Sequence, residues 1–278
     1  MSLTYQDNDT PPIAKVDDKF VYIDEKPATH DKIDIMNKIW DIDTINIIAE
    51  VLNEMSLKQV IDILSSTEEQ KGGMKEIEGK DVQVIPSPMC ERLIIGGTSG
   101  SGKSWFAANY AKMWQTLFPE KNVYLFARQE DDTAFDGIEL EEIIASPNLL
   151  EETLDIHTFE DSLVIFDDMD NLQDKKVLDY IHSLLGDLMA CGRKKNIYVM
   201  YITHKFKNNL KTKVALNESN KIVFFNGTGD KNNMDVLKDY ACMTSDEIKR
   251  MIALPGRWAC LERNRPRYVV YEKGVVLL

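Results

Sequence analysis

The stretch Gly97-Thr98-Ser99-Gly100-Ser101-Gly102-Lys103-Ser104 decides the fold, since it lies between an apolar run at 93–95 and a helical pattern over 104–117. It fits the phosphate-loop pattern G-x-x-x-x-G-K-[ST] in full. Glycines let backbone N–H groups turn inward around phosphate oxygens, and the start of a helix adds partial positive charge. We therefore predict that these eight residues bind a nucleotide. A Gly/Ser-rich turn that happens to contain a lysine is the alternative.

Within this loop the two last residues have distinct predicted roles. Lys103 is expected to contact the β- and γ-phosphates, and the Ser104 hydroxyl to bind Mg²⁺. No Asn-Lys-x-Asp follows, which disfavours a GTPase, and no Leu-Ser-Gly-Gly-Gln run occurs, which disfavours an ABC transporter subunit. ATP and Mg²⁺ are therefore the expected ligands.

A second apolar run, residues 163–166, ends in two carboxylates. In parallel α/β sheets, ligands bind outside the carboxyl ends of the strands. We predict that Asp167 binds Mg²⁺ opposite Ser104 and that Asp168 polarises the attacking water as a general base. Capping of the following helix is the alternative for Asp168.

Polar residues also flank the apolar run 197–202. Thr203 and His204 follow it and are predicted to sense the γ-phosphate or position water; a turn-capping threonine and a solvated or buried histidine are the alternative. Arg193 precedes it in an exit loop. It could reach the γ-phosphate of a neighbouring subunit, or be no more than a cation at a helix C-terminus.

The chain as a whole divides into two predicted parts. Residues 81–278 alternate strands and helices, which predicts an α/β domain with a mostly parallel central sheet flanked by helices. Strands are predicted at 81–85, 92–95, 122–127, 163–166, 197–202 and 221–225, helices at 104–117, 174–191, 234–240 and 245–254, and a terminal hairpin from 257–261 and 268–277. Residues 1–80 are predicted to be an acidic region with a weakly ordered start at 1–30, helices within 31–66, and a linker at 67–80.

Charge is distributed unevenly along the chain. The net charge of −13 divides into −9 for residues 1–90, −13 for 91–190 and +9 for 191–278. A basic C-terminal third can attract phosphate groups despite the acidic total. The segment after the apolar run 197–202 is predicted to be a loop that faces DNA; a solvated loop is the alternative. Its lysines are Lys205, Lys207, Lys211 and Lys213.

Composition narrows the class further. No apolar run reaches about 18 residues, so no membrane span is expected, and the polar, acidic N-terminus lacks the pattern of a signal peptide. A soluble, intracellular protein is expected. The four cysteines form no Cys-x-x-Cys pair, so we expect buried free thiols rather than a zinc site or a disulfide framework.

Taken in order, the phosphate loop, the Phe166-Asp167-Asp168 end, the 192–197 segment and the Thr203-His204 end resemble the FtsK/HerA class of RecA-like P-loop ATPases. The nearest likeness is to genome-packaging ATPases of poxviruses, giant viruses and virophages, over roughly residues 81–278. The likeness implies an extra strand between the strand before the phosphate loop and the strand before Asp167. It also implies that Arg193 is the arginine finger and that Thr203-His204 is the sensor. Many members carry Glu where Asp168 stands, and Gln or Asn where His204 stands.

The resemblance also implies partners and a setting. These are double-stranded DNA, a homo-oligomeric ring (pentamer or hexamer) and capsid vertex proteins, in the host cytoplasm, at a viral assembly site or on the virion. The first hypothesis is thus an ATP-hydrolysing motor that packages DNA. A cellular HerA-like or AAA-type remodelling ATPase is the second, and an ATP-binding assembly or scaffold protein with little turnover is the third.

Overall fold

A computed structural model describes residues 1–7, 10–24, 75–128, 133–206, 209–225, 231–264 and 266–278. The helices predicted within 31–66 and most of the linker predicted at 67–80 lie outside these ranges. The strands are β1 (Ser2–Thr4), β2 (Ala14–Val16), β3 (Lys19–Asp24), β4 (Glu76–Glu78), β5 (Val82–Val84), β6 (Arg92–Gly96), β7 (Val123–Ala127), β8 (Glu141–Ile144), β9 (Leu163–Phe166), β10 (Tyr198–Thr203), β11 (Lys221–Phe225), β12 (Trp258–Glu262), β13 (Tyr268–Tyr271) and β14 (Gly274–Leu277). The α-helices are α1 (Lys103–Leu117), α2 (Lys175–Cys191), α3 (Asn209–Glu218), α4 (Lys231–Asp239) and α5 (Ser245–Ile252).

A ten-stranded sheet in the order β4-β14-β13-β12-β11-β6-β10-β9-β7-β8 forms the centre of the molecule. Its six strands from β11 to β8 are parallel, and the four from β12 to β4 are antiparallel. The predicted mostly parallel α/β fold is thereby confirmed. β10 lies between β6 and β9, so the extra strand that the family resemblance implies is also present.

Helices cover both faces of this sheet because successive side chains of a strand point to opposite faces. Leu93 and Ile95 of β6 belong to a core that includes Trp114 of α1. Ile94 belongs to the other core, with Leu185 of α2. All three β6 side chains are fully buried. Burial on both faces thus explains why the run before the phosphate loop is apolar. The buried strand β6 fixes the position at which the loop begins.

The start of the chain differs from the prediction. Residues 1–24 were expected to be weakly ordered, but β1, β2 and β3 join β5 in a four-stranded antiparallel sheet of order β1-β3-β2-β5. Val16 and Val21 are buried in the same core as α1. β4, which falls in the predicted linker, pairs with β14. The expectation of weak order is wrong: β2 and β3 form a hairpin across Asp17 and Asp18, and β2 also pairs with the distant β5.

Three local expectations also need correction. The segment predicted as a DNA-facing loop contains helix α3, so Lys213 lies on a helix and not in a loop. β8, at the edge of the large sheet, has no counterpart among the predicted strands. The cysteines were expected to be buried, but only Cys260 is; Cys90 is half-buried, and Cys191 and Cys242 are exposed.

A buried ion pair lies where the parallel strands begin. Glu91, just before β6, pairs with Lys221 at the start of β11, and each side chain is 1% exposed. The Tyr110 hydroxyl of α1 also donates a hydrogen bond to Glu91. Burial acts to lower the pKa of Lys221, but Glu91 and the neighbouring acidic groups raise it overall. The pair joins two neighbouring strands and α1 at the sheet edge opposite the phosphate loop.

Candidate functional site

The phosphate loop runs from the end of β6 to the start of α1, as predicted. Gly100 has φ +74° and Gly102 has φ +103°, values that residues with a Cβ rarely adopt. The N–H of Gly97 donates to the carbonyl of Thr203 at 3.3 Å, which ties the loop to the end of β10. A Cβ on Gly97 would lie 2.9 Å from Ser101 Oγ. The glycines therefore serve both the turn and the close packing of the Gly97 backbone against the Ser101 side chain.

Lys103 is the buried cation of the site, with 6% of its surface exposed. Its Nζ donates to the carbonyl of Thr98 at 3.0 Å and lies 3.5 Å from Nδ1 of His204. Burial lowers the pKa of Lys103, and three nearby carboxylates offset part of that effect. Those carboxylates are Asp168, Asp167 and Asp170. The Lys103 ammonium thus has too few hydrogen-bonded oxygens among the described residues to compensate for its burial.

The loop also contains a buried hydroxyl without a partner. Ser101 Oγ has no hydrogen bond within the described part of the chain. The three residues before it, Thr98, Ser99 and Gly100, are exposed. Buried polar atoms of this kind cost free energy unless a ligand or water satisfies them. The loop therefore fits a phosphate, whose oxygens would accept from Ser101 and from Lys103.

The two predicted carboxylates lie at the carboxyl end of β9. Asp167 is buried, and its N–H donates to the carbonyl of Phe126 at 3.0 Å, which extends the pairing of β9 with β7. Asp168 has φ +57°, a left-handed conformation, and its Oδ1 pairs with Nε2 of His204. The left-handed conformation of Asp168 therefore ends the strand pairing directly after Asp167.

Asp170 is a site residue that the sequence analysis missed. One carboxylate oxygen accepts from the Tyr201 hydroxyl, and the other accepts from the Thr203 hydroxyl and, at 3.4 Å, from the His204 N–H. Asp170 thus links the turn after β9 to the end of β10. Its place two residues after Asp168 is a weak signal, because its role depends on the pairing of two strands far apart in sequence.

Thr203 and His204 lie at the end of β10, beside the phosphate loop. Thr203 is fully buried, and its hydroxyl accepts from the Lys205 N–H at 3.2 Å while it donates to Asp170. Its hydroxyl is therefore engaged inside the protein and does not face open space. His204 is half-buried and lies between Lys103 and Asp168.

Arg193 lies apart from this cluster. It is exposed, in the 3-10 turn Gly192–Lys195 that precedes β10. Since β10 has six residues, about 20 Å of strand separates Arg193 from the phosphate-loop edge. Arg193 therefore does not contribute to the site of its own subunit. A role in a neighbour's site stays a prediction.

The lysines proposed to face DNA are described only in part. Lys205 and Lys213 are exposed. Lys207 and the side chain of Lys211 lie outside the described structure. Lys205 follows His204 directly, so an exposed cation stands next to the site.

The chain is similar in sequence to a virophage protein and has distant similarity to several solved structures. No family model matches it. Uncharacterized protein V3 of Sputnik virophage is 31% identical over 225 residues, which cover 76% of this chain and 88% of that protein. The genome-packaging NTPase B204 of Sulfolobus turreted icosahedral virus 2, solved with AMPPCP, is similar with a TM-score of 0.46 and 11% identity, covering 65% of this chain and 97% of that one. The pCW3 conjugation coupling protein TcpA, solved with ATPγS, has a TM-score of 0.46 and 14% identity, covering 72% of this chain and 65% of its own.

Within the described residues, none of the helices is long and apolar enough to cross a membrane.

Proposed function

We propose that this chain, which belongs to the family of the Sputnik virophage protein V3 and has the fold of an FtsK/HerA-type P-loop NTPase, is an ATP-hydrolysing motor that translocates double-stranded DNA. One observation carries the proposal. Lys103 Nζ lies at the end of a phosphate loop, 3.5 Å from His204 and close to the carboxylates of Asp167, Asp168 and Asp170. The cation proposed to bind phosphate, the carboxylate proposed to bind Mg²⁺ and the Asp168–His204 pair thus lie close together.

ATP binding follows from the loop. Its backbone N–H groups and the start of α1 would surround the phosphates, while Lys103 and the unpartnered Ser101 hydroxyl would bind phosphate oxygens. With phosphate bound, Lys103 would exchange its contact with the Thr98 carbonyl for a charged partner. A triphosphate would therefore supply the acceptor oxygens that these buried donors of the loop lack.

Mg²⁺ would bind together with the nucleotide. In the described part of the chain, no cluster of three or more His, Cys, Asp or Glu side chains is arranged to hold a metal ion. Mg²⁺ in nucleotide sites usually takes one or two protein oxygens and completes its shell with phosphates and water. Ser104 and Asp167 would supply the protein oxygens. The metal would neutralise charge that develops on the transferred phosphoryl group.

Hydrolysis would depend on Asp168 and its neighbours. Asp168 would accept a proton from the attacking water, and His204, paired with its Oδ1, would orient the carboxylate. Asp170 and Thr203 would hold His204 and the end of β10 in register with the turn after β9. Asp170 and Thr203 are positioning residues in this scheme.

DNA translocation is the finer part of the proposal. The positive charge of residues 191–278 and the exposed Lys205 and Lys213, with Lys207 and Lys211, support contacts to phosphates that do not depend on sequence. Arg193 would complete a neighbour's site in a ring of five or six subunits. Packaging would take place at a capsid vertex, in the infected cell or on the virion, as the resemblance to viral genome-packaging ATPases implies.

Displacement of a third strand from linear duplex DNA would test translocation. Wild-type protein with ATP should release a triplex-forming oligonucleotide placed far from the loading end, and Lys103→Ala should not. Lys112→Ala is the matched control, since Lys112 is an exposed lysine of the same helix. ATP hydrolysis without strand release would contradict the motor and favour a remodelling ATPase. ATP binding with neither hydrolysis nor release would favour a scaffold protein.

A further inference from the structure

A large aromatic side chain lies directly beyond the phosphate loop. Trp105 follows Ser104 in the first turn of α1, and 56% of its surface is exposed. A single exposed apolar residue is common on protein surfaces. The surroundings of Trp105 are what distinguish it, because its ring is supported on one side and lines a cavity on another.

The support comes from Arg257. Its guanidinium lies over the Trp105 ring at 5.8 Å from the centroid, within the range of a cation–π contact. Glu272 fixes this arginine by accepting from its backbone N–H at 2.6 Å and from its Nε at 2.8 Å. Arg257 does not line the cavity beside Trp105. The indole is therefore held in place without being covered by protein on its cavity side.

The cavity, of about 130 Å³, lies between α1, β5 and the start of β12. Its lining is partly aromatic, with Trp258 buried behind Phe106 at a ring distance of 4.9 Å. Polar groups complete it. The Gln83 amide has no hydrogen bond to any residue that the structure describes. The Asn109 Nδ2 donates to the Trp105 carbonyl at 2.8 Å, which leaves its Oδ1 as an acceptor.

The position fits the part of a nucleotide that extends beyond its phosphates. Trp105 is one residue past Ser104, and the helix from Trp105 to Asn109 spans about 6 Å along its axis. A purine offers a flat face for stacking on an indole. Its edge carries a donor and an acceptor side by side, which a glutamine amide can bind together.

We infer that this cavity is the nucleobase site, with Trp105 as the stacking surface and Gln83 as the hydrogen-bonding partner of the adenine edge. The inference rests on the proposed function, since it assigns the base of the nucleotide whose phosphates that function requires. It adds residues outside the phosphate loop, from β5 and from the first turn of α1. In this site the Arg257–Glu272 pair would hold the indole of Trp105 in position for stacking.

Binding of ATP and of inorganic tripolyphosphate, measured by calorimetry with Mg²⁺, separates the base site from the phosphate site. Trp105→Ala should weaken ATP binding about 10-fold, as expected for loss of one stacked base, and leave tripolyphosphate binding unchanged. Trp105→Phe should recover most of the ATP affinity. Gln83→Leu should weaken ATP but not tripolyphosphate. Leu117→Ala, an exposed apolar residue at the far end of α1, is the matched control.

The outcomes are distinct. Unchanged ATP affinity in both Trp105→Ala and Gln83→Leu would overturn the base site and leave the proposed function intact. Equal weakening of ATP and tripolyphosphate would also overturn it, since the substitution would then act on the loop. Failure of the wild-type protein to bind either ligand would overturn the proposed function and this inference together. Circular dichroism of each variant checks that it is folded.

Discussion

His204 at the end of β10 pairs through Nε2 with Oδ1 of Asp168, which follows the neighbouring strand β9. The other ring nitrogen of His204 lies 3.5 Å from Lys103 Nζ. The histidine therefore joins the carboxylate proposed as the general base to the cation proposed to bind phosphate. We propose that this geometry lets His204 act as the sensor at a position where the resemblance expects Gln or Asn.

Asp168→Asn tests the pairing and the proposed base. We expect ATP binding to be retained and the hydrolysis rate to fall by about 10²–10⁴-fold, because an amide cannot take the proton from water. Steady-state phosphate release and calorimetric ATP binding measure the two effects. Asp187→Asn, an exposed acid on α2, is the control.

A double-mutant cycle with His204→Ala extends this test. If His204 acts by orienting Asp168, the double variant should hydrolyse ATP no more slowly than Asp168→Asn alone. Additive losses would mean that His204 acts independently of the carboxylate.

Asp170→Asn should loosen the site without removing a proposed catalytic group. Asp170 accepts from Tyr201, Thr203 and His204, and an amide replaces one acceptor oxygen with a donor. We expect a loss of about 1–3 kcal/mol in the free energy of unfolding, measured in urea. Thr203→Val should lose less, and Thr203→Ser should be close to wild type because it keeps the hydroxyl. Full stability in Asp170→Asn would contradict the role given to this carboxylate.

Lys103→Met should stabilise the nucleotide-free protein. Burial lowers the pKa of Lys103 in the folded state, so its charge opposes folding at pH values below that lowered pKa. Removing the charge should therefore raise the free energy of unfolding and the Tm.

The effect should depend on pH in a defined direction. The cost is fully present below the folded-state pKa, declines as pH rises through it, and vanishes above the unfolded value of 10.5. The Tm difference between Lys103→Met and wild type should therefore shrink from pH 7 towards pH 10. A difference that grows with pH would show that Lys103 is not destabilised by burial.

The Glu91–Lys221 pair should behave as a structural unit. Either Glu91→Gln or Lys221→Met alone leaves a buried group without its partner and should cost about 3–5 kcal/mol of stability. The double variant should recover much of this loss, measured by urea unfolding. Additive losses would mean that the two residues do not depend on each other.

The proposed role of Arg193 in a neighbouring subunit's site can be tested by mixing two inactive variants. Arg193→Ala and Lys103→Ala proteins should each lose ATP hydrolysis, the former by about 10³-fold or more if it is an arginine finger. In the proposed ring, mixtures of the two variants should regain activity, because a Lys103→Ala subunit can supply its arginine to a neighbour with an intact loop. Mixtures that stay inactive would argue against a role in trans.

The sequence predicted the local parts of this structure well. The phosphate loop, β6 and α1 are contiguous, so periodicity and one motif were enough to find them. Asp170 was missed because it matters only through strands β9 and β10, which lie about 30 residues apart. Long-range pairing explains only part of the miss in residues 1–24: β2 pairs with β5 across more than 60 residues, but β2 and β3 form a local hairpin. The cysteines were misjudged because a residue type's average burial says little about a single position.

Steady-state ATP hydrolysis with and without long duplex DNA, using Lys103→Ala as the blank, tests whether the protein is a DNA-dependent ATPase. We expect turnover that DNA stimulates, that falls as salt rises, and that is absent in Lys103→Ala. Turnover equal in Lys103→Ala and wild type would contradict this expectation, as would ATP binding with no turnover in the presence of DNA.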